Sequence, residues 1–123
     1  MNNIIDFLEQ RECIDSITSK ELKKCAENPL KIYLGFDATA DSLHIGNLVG
    51  IVLLAWFRRF GHTPVILLGG ATTKIGDPSG KSVERPFLDI ETLNYNTRSI
   101  EKQIRGCFNG DGKEPLFFDN NEW

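Results

Sequence analysis

The run Thr63-Pro64-Val65-Ile66-Leu67-Leu68 carries no charge and ends on Gly69-Gly70. An apolar run of this length without polar alternation predicts a strand covered on both faces, the habit of parallel sheets. Parallel strands need a crossover of about a dozen residues or more, usually a helix. The flanking sequence offers one on each side. Residues 31–36 (KIYLGF) predict a first strand. Residues 44–60 predict a helix with Ile45, Leu48, Val49, Val52, Leu53, Trp56, Phe57 and Phe60 on a wide apolar face. Arg58 and Arg59 suit its C-terminal dipole end, and Gly61 suits a C-cap. Residues 89–108 predict a second helix, capped by Asp89, with Ile90, Leu93, Ile100, Ile104 and Phe108 as its apolar positions. The turn Asn109-Gly110-Asp111-Gly112 leads to a third strand at 115–119 (PLFFD).

The order strand, helix, strand, helix, strand predicts an α/β fold: a Rossmann-like parallel sheet built as a βαβαβ unit. Two short helices are expected before it. One spans residues 2–10, with apolar Ile4, Ile5, Phe7 and Leu8. The other starts after Thr18 or Ser19 as N-cap and ends by Asn28, because Pro29 disfavours helix at the residue before it. The chain thus divides into a helical segment, 1–30, and a sheet-bearing segment, 31–123. With 123 residues and 41% hydrophobic content it can build one core. The net charge of −3 argues against this segment being the main grip on a nucleic acid. Cys13, Cys25 and Cys107 match no zinc spacing or CxxC motif, no secretory signal is read, and no run reaches the ~18 apolar residues of a membrane span. Free thiols in a reducing cytoplasm are the expectation, with no membrane partner and no metal site.

The chemistry concentrates where strands end. After the first strand, Gly35 allows close approach to the backbone, and Asp37 offers a carboxylate for an ammonium or a hydroxyl. Thr39 and Ser42 offer hydroxyls, Ser42 being also suited to capping the helix. His44 falls in the first helical turn, where the dipole favours anions. Gly46 sits inside the helix at a cost of ~1 kcal/mol against alanine, which makes sense if a flat ligand lies on the backbone there. Asn47 adds a side-chain donor. The second strand ends in G-G-A-T-T-K-I-G-D-P-S-G-K, where Thr72 and Asp77 could cradle an amino group. It is not a Walker A loop, being one residue short between the glycines of G-D-P-S-G-K-S. Lys81 and Arg85 follow as cations able to close over a phosphate transition state. Phosphate contacts, two carboxylates and two cations, without a nucleophile and its base, point to nucleotidyl transfer by positioning and charge stabilisation.

G-F-D-A-T-A-D-S-L-H-I-G-N followed by G-G-A-T-T-K-I-G-D-P-S-G-K-S-V-E-R resembles bacterial-type tyrosyl-tRNA synthetases, class I aminoacyl-tRNA synthetases. The HIGH-type signature alone indicates only a wider nucleotidyltransferase superfamily, whose other members are the competing reading, along with a truncated, non-catalytic binding module. The resemblance implies the first βαβαβ half of a class I catalytic domain, truncated at its C-terminal end. It implies activation of tyrosine with ATP and transfer to tRNA(Tyr), with Mg2+ accompanying ATP, no tightly bound cofactor, and a homodimeric parent protein. It implies tyrosine binding by Tyr33, Asp37, Thr72 and Asp77. ATP would be held by Leu34, Gly35, Asp37, Thr39, His44, Gly46 and Asn47. Catalytic roles would fall to Thr39, His44, Asn47, Lys81 and Arg85. Three departures stand out: Asn47 replaces the second histidine of the signature, Ala38 replaces a common proline, and Leu34 replaces a polar residue able to touch ribose. A KMSKS-type loop, the rest of the tyrosine pocket, the anticodon-binding region and most of the dimer interface would lie beyond Trp123.

Overall fold

A computed structural model describes residues 3–70 and 89–122. Strands β1 (Lys31–Phe36), β2 (Thr63–Leu68) and β3 (Leu116–Asp119) form one parallel sheet in the order β1-β2-β3. Lys31 lies opposite Thr63 and Phe36 opposite Leu68; Val65 lies opposite Leu116 and Leu68 opposite Asp119. Four helices are described: α1 (Ile4–Glu9), α2 (Leu22–Cys25), α3 (Ile45–Arg59) and α4 (Ile90–Cys107), and a 3-10 turn follows β3 at Asn120–Glu122. No helix among the described residues is long and apolar enough to cross a membrane.

Right-handed crossovers that step the same way across a sheet put their helices on one face. Accordingly α3 and α4 share a single core with the sheet: Ile51 and Leu54 from α3, Ile100 and Ile104 from α4, and Phe36 and Ile66 from the strands. Burying side chains of this size stabilises by about 2 kcal/mol each. Among the described residues, the expectation that β2 is covered on both faces is met on one face only. Pro64, Ile66 and Leu68 are buried, but Thr63, Val65 and Leu67 on the opposite face are only half-buried. On that same face Tyr33 is 72% and Phe118 44% exposed.

The N-terminal helices dock on the other flank of α3. Ile4, Ile5 and Leu8 pack with Ala26 and Phe57, and the Phe7 ring lies 4.5 Å from that of Trp56. Asn3 accepts the Ile5 N–H at 2.9 Å and donates to the Lys23 carbonyl at 2.7 Å, tying α1 to α2. The N-cap of α2 is Glu21, not Thr18 or Ser19; Ser19 accepts the Glu21 N–H at 3.3 Å, using its hydroxyl in a turn before the helix. Asp89 caps α4 as expected, accepting the Thr92 N–H at 2.7 Å.

At the far end of α3 the chain leaves through Gly61, whose φ of +89° suits glycine. Arg58, expected as a partner of the helix dipole, is also buried, at 6% exposed. Its guanidinium donates to the carbonyls of Lys113 (2.8 Å), Phe108 (2.9 Å), Gly110 (2.9 Å) and Gly112 (3.3 Å). It therefore fastens the whole turn between α4 and β3. A Cβ at Gly112 would meet the Arg58 side chain within 3.0 Å, so the turn needs glycine there for space as well as for its φ of +128°.

Candidate functional site

The carboxyl ends of β1 and β2 and the start of α3 enclose a cavity of about 460 Å³. It is lined by Gly35, Asp37, Thr39, His44 and Asn47 from the sequence-derived candidates, together with Phe36, Ala40, Ser42, Leu67, Gly69, Ile100 and Asn120. The volume suits a small organic ligand. Its position, outside the carboxyl ends of parallel strands and at a helix N-terminus, suits one carrying phosphate.

His44 is the N-cap of α3, with extended backbone, rather than a residue of its first turn; Ser42, the expected cap, lies two residues earlier on the cavity wall. The His44 Nδ1 accepts the Gly46 N–H at 3.1 Å, and the Asn47 Oδ1 accepts the His44 N–H at 3.0 Å. With Nδ1 accepting, the neutral ring carries its proton on Nε2, where it can donate to an incoming oxygen. A Cβ at Gly46 would lie 3.0 Å from the imidazole. The glycine is thus what lets His44 fold back over the helix start. Asn47, expected as a donor, spends its oxygen on the cap.

Leu34 does not line the cavity. It leans on α3 so closely that a Cβ at Gly50 would collide with its Cδ2. Tyr33 also lies outside the cavity, exposed on the sheet face turned away from α3 and α4. Thr72, Asp77, Lys81 and Arg85 fall outside the described residues. The structure therefore brings together the β1–α3 part of the predicted site.

Sequence reasoning missed Gly69 and Asn120, and it missed the residues that fix the loop. Asn96 Nδ2 donates to the Ala38 carbonyl at 3.1 Å. The Gln103 carboxamide accepts the Leu43 N–H at 2.9 Å and donates to the Asp41 carbonyl at 3.0 Å. The two amides are two helical turns apart on one side of α4, a spacing visible in the sequence. Beside the lining residues Gly69 and Asn120, Asp119 accepts the Gly70 N–H at 3.2 Å and the Asn121 N–H at 2.9 Å. Its carboxylate occupies the space a Cβ at Gly70 would need.

The family model of class I tRNA synthetases (W and Y) matches residues 24–123. A tyrosine–tRNA ligase of Protochlamydia amoebophila is 48% identical over all of this chain and 29% of its own length. A chloroplastic/mitochondrial tyrosine–tRNA ligase of Arabidopsis thaliana is 48% identical over 98% of this chain and 25% of its own length. The C-terminally truncated mitochondrial tyrosyl-tRNA synthetase of Aspergillus nidulans superimposes on the whole chain with a TM-score of 0.84 at 27% identity, using 39% of its own chain. The chain spans 25–29% of the length of these two curated relatives. With the βαβαβ sheet, the cavity at its carboxyl edge and a family match across 24–123, the chain belongs to the class I tRNA synthetases of the tryptophan and tyrosine group.

Proposed function

We propose that this chain is the N-terminal part of a tyrosine–tRNA ligase, which activates tyrosine with ATP and then charges tRNA(Tyr). The observation that carries the reading is the convergence of Asp37, Thr39, His44 and Asn47 on one cavity at the N-terminus of α3. Names of relatives 48% identical over nearly the whole chain support tyrosine as the amino acid.

In this reading ATP enters as its Mg2+ complex. The tyrosine carboxylate oxygen bonds to the α-phosphorus, and the bond from that phosphorus to the pyrophosphate oxygen breaks. Charge then builds on the leaving pyrophosphate. Thr39 and the His44 Nε2–H donate to it, backed by the helix N-terminus. Gly35 and Gly46 let the nucleotide approach the backbone, and Asn47 holds His44 in place through the cap. Asp37 meets the substrate ammonium or the adenylate. Tyr33 selects the phenol hydroxyl, Thr72 and Asp77 complete the amino-group site, and Lys81 and Arg85 close on pyrophosphate. Leu34 serves as a spacer beneath α3 rather than as a ribose contact, its side chain being committed to Gly50.

The remainder of the protein supplies the opposing cationic loop, the anticodon-binding region and a homodimer interface, so residues 1–123 alone are expected to be inactive. The exposed thiols of Cys13, Cys25 and Cys107 suit the reducing cytoplasm where translation runs. The test is amino-acid-dependent exchange of pyrophosphate into ATP by the full-length protein. Tyrosine should drive exchange. Exchange driven by tryptophan instead would reassign the substrate within the same family, and activity from residues 1–123 alone would refute the need for the rest.

A further inference from the structure

The loop between β1 and α3 belongs to no ladder, so the partners of its backbone polar groups must come from elsewhere. Helix α4 provides three of them across nearly sixty positions or more of sequence. Gln103 takes the Leu43 N–H and the Asp41 carbonyl together, engaging the loop as a neighbouring strand would. Asn96, 5% exposed, holds the Ala38 carbonyl. Thr39 directly follows Ala38, and His44 directly follows Leu43. The clasped groups therefore adjoin the two residues assigned to phosphate. Neither amide lines the cavity, so both act through the loop backbone.

We propose that Gln103, assisted by Asn96, is a positioning residue for adenylate formation, holding the β1–α3 loop in the shape that presents Thr39 and His44 to the leaving pyrophosphate. This rests on the adenylation reading above. Gln103 is exposed, so water can take over the hydrogen bonds of the Asp41 carbonyl and the Leu43 N–H once the amide is gone; what the amide supplies is the fixed geometry of the loop.

The experiment compares full-length protein with Gln103→Met, which keeps length and loses both bonds, and Gln103→Glu, which keeps the acceptor for the Leu43 N–H. The readouts are the single-turnover rate constant for tyrosyl-adenylate formation, which does not depend on the fraction folded, and hydrogen exchange at the Leu43 amide. Gln103→Met should lower the rate constant about 10–100-fold with the tyrosine KM within about twofold, and Leu43 protection should be lost. Gln103→Glu should fall between and keep that protection. Asn96→Leu should shift the rate constant in the same direction. An unchanged rate constant in Gln103→Met overturns the proposal, whatever happens at Leu43. If the unmodified protein forms no adenylate with tyrosine, the adenylation reading fails, and the ATP dissociation constant decides the positioning role. A value raised by about fivefold or more in Gln103→Met supports that role, and an unchanged value overturns it.

Discussion

At its first turn α3 is open: His44, Ile45 and Gly46 are exposed, and the cap is built from an imidazole and an amide that face a cavity. At its last turn Phe57 and Arg58 are buried, the guanidinium donates to four carbonyls, and the buried His62 ring stands edge-on to Phe57 at 5.5 Å. One helix thus keeps polar side chains available to a cavity at its start and commits Arg58 to the fold at its end. Function is therefore expected at the open end and stability at the closed one. Groups with spare hydrogen-bonding capacity at a helix N-terminus can serve a ligand, whereas a satisfied buried guanidinium can only hold the fold.

The largest expected effect is at the closed end. Arg58→Met leaves the carbonyls of Phe108, Gly110, Gly112 and Lys113 without their donor, and should lower unfolding free energy by about 3–4 kcal/mol in denaturant titration. A loss below about 1 kcal/mol would mean the turn stands without its clamp. Midway along the helix, Gly50→Ala should cost about 1–3 kcal/mol because the new methyl meets Leu34. Leu34→Ala in the same protein should recover part of that cost; strict additivity in the double-mutant cycle would contradict direct packing.

His62 gives a pH signature to the same end. Its Nδ1 accepts the Leu30 N–H at 3.1 Å, and burial, followed by the Lys113 charge, pushes the imidazole below its ordinary value. The folded state therefore favours neutral His62. The stability it contributes is full above the unfolded value of about 6.5, and is lost as pH falls from there through the depressed folded value. Melting temperature should drop over that interval, and His62→Gln should flatten the slope. A slope unchanged by His62→Gln would assign it to other groups.

The smallest stability effect is expected at the open end. His44→Ala removes one exposed cap and should cost at most about 1 kcal/mol.

What the sequence makes legible follows the same division. The limits of β1 and β2 are read directly from KIYLGF and TPVILL, because short runs of β-formers between polar breaks leave little choice of register. Helices α3 and α4 are each read one residue too long at either end. His44 is misread as a helical residue because histidine is not a usual cap; the role depends on Gly46 making room for the ring. The Arg58 clamp and the Gln103 clasp are invisible to local reasoning, since their partners lie fifty or more positions away. The face of β2 bearing Val65 and Leu67 reads as core from hydropathy alone, yet among the described residues α3 and α4 reach only the other face.

The most direct test of the central claim is the tyrosine-dependent pyrophosphate exchange rate of full-length His44→Ala, measured beside its melting temperature. Exchange should fall about 100-fold or more with a melting shift of only a few degrees. Exchange at the unmodified rate, or a loss accounted for by unfolding, would contradict a phosphate-binding role for the open end of α3.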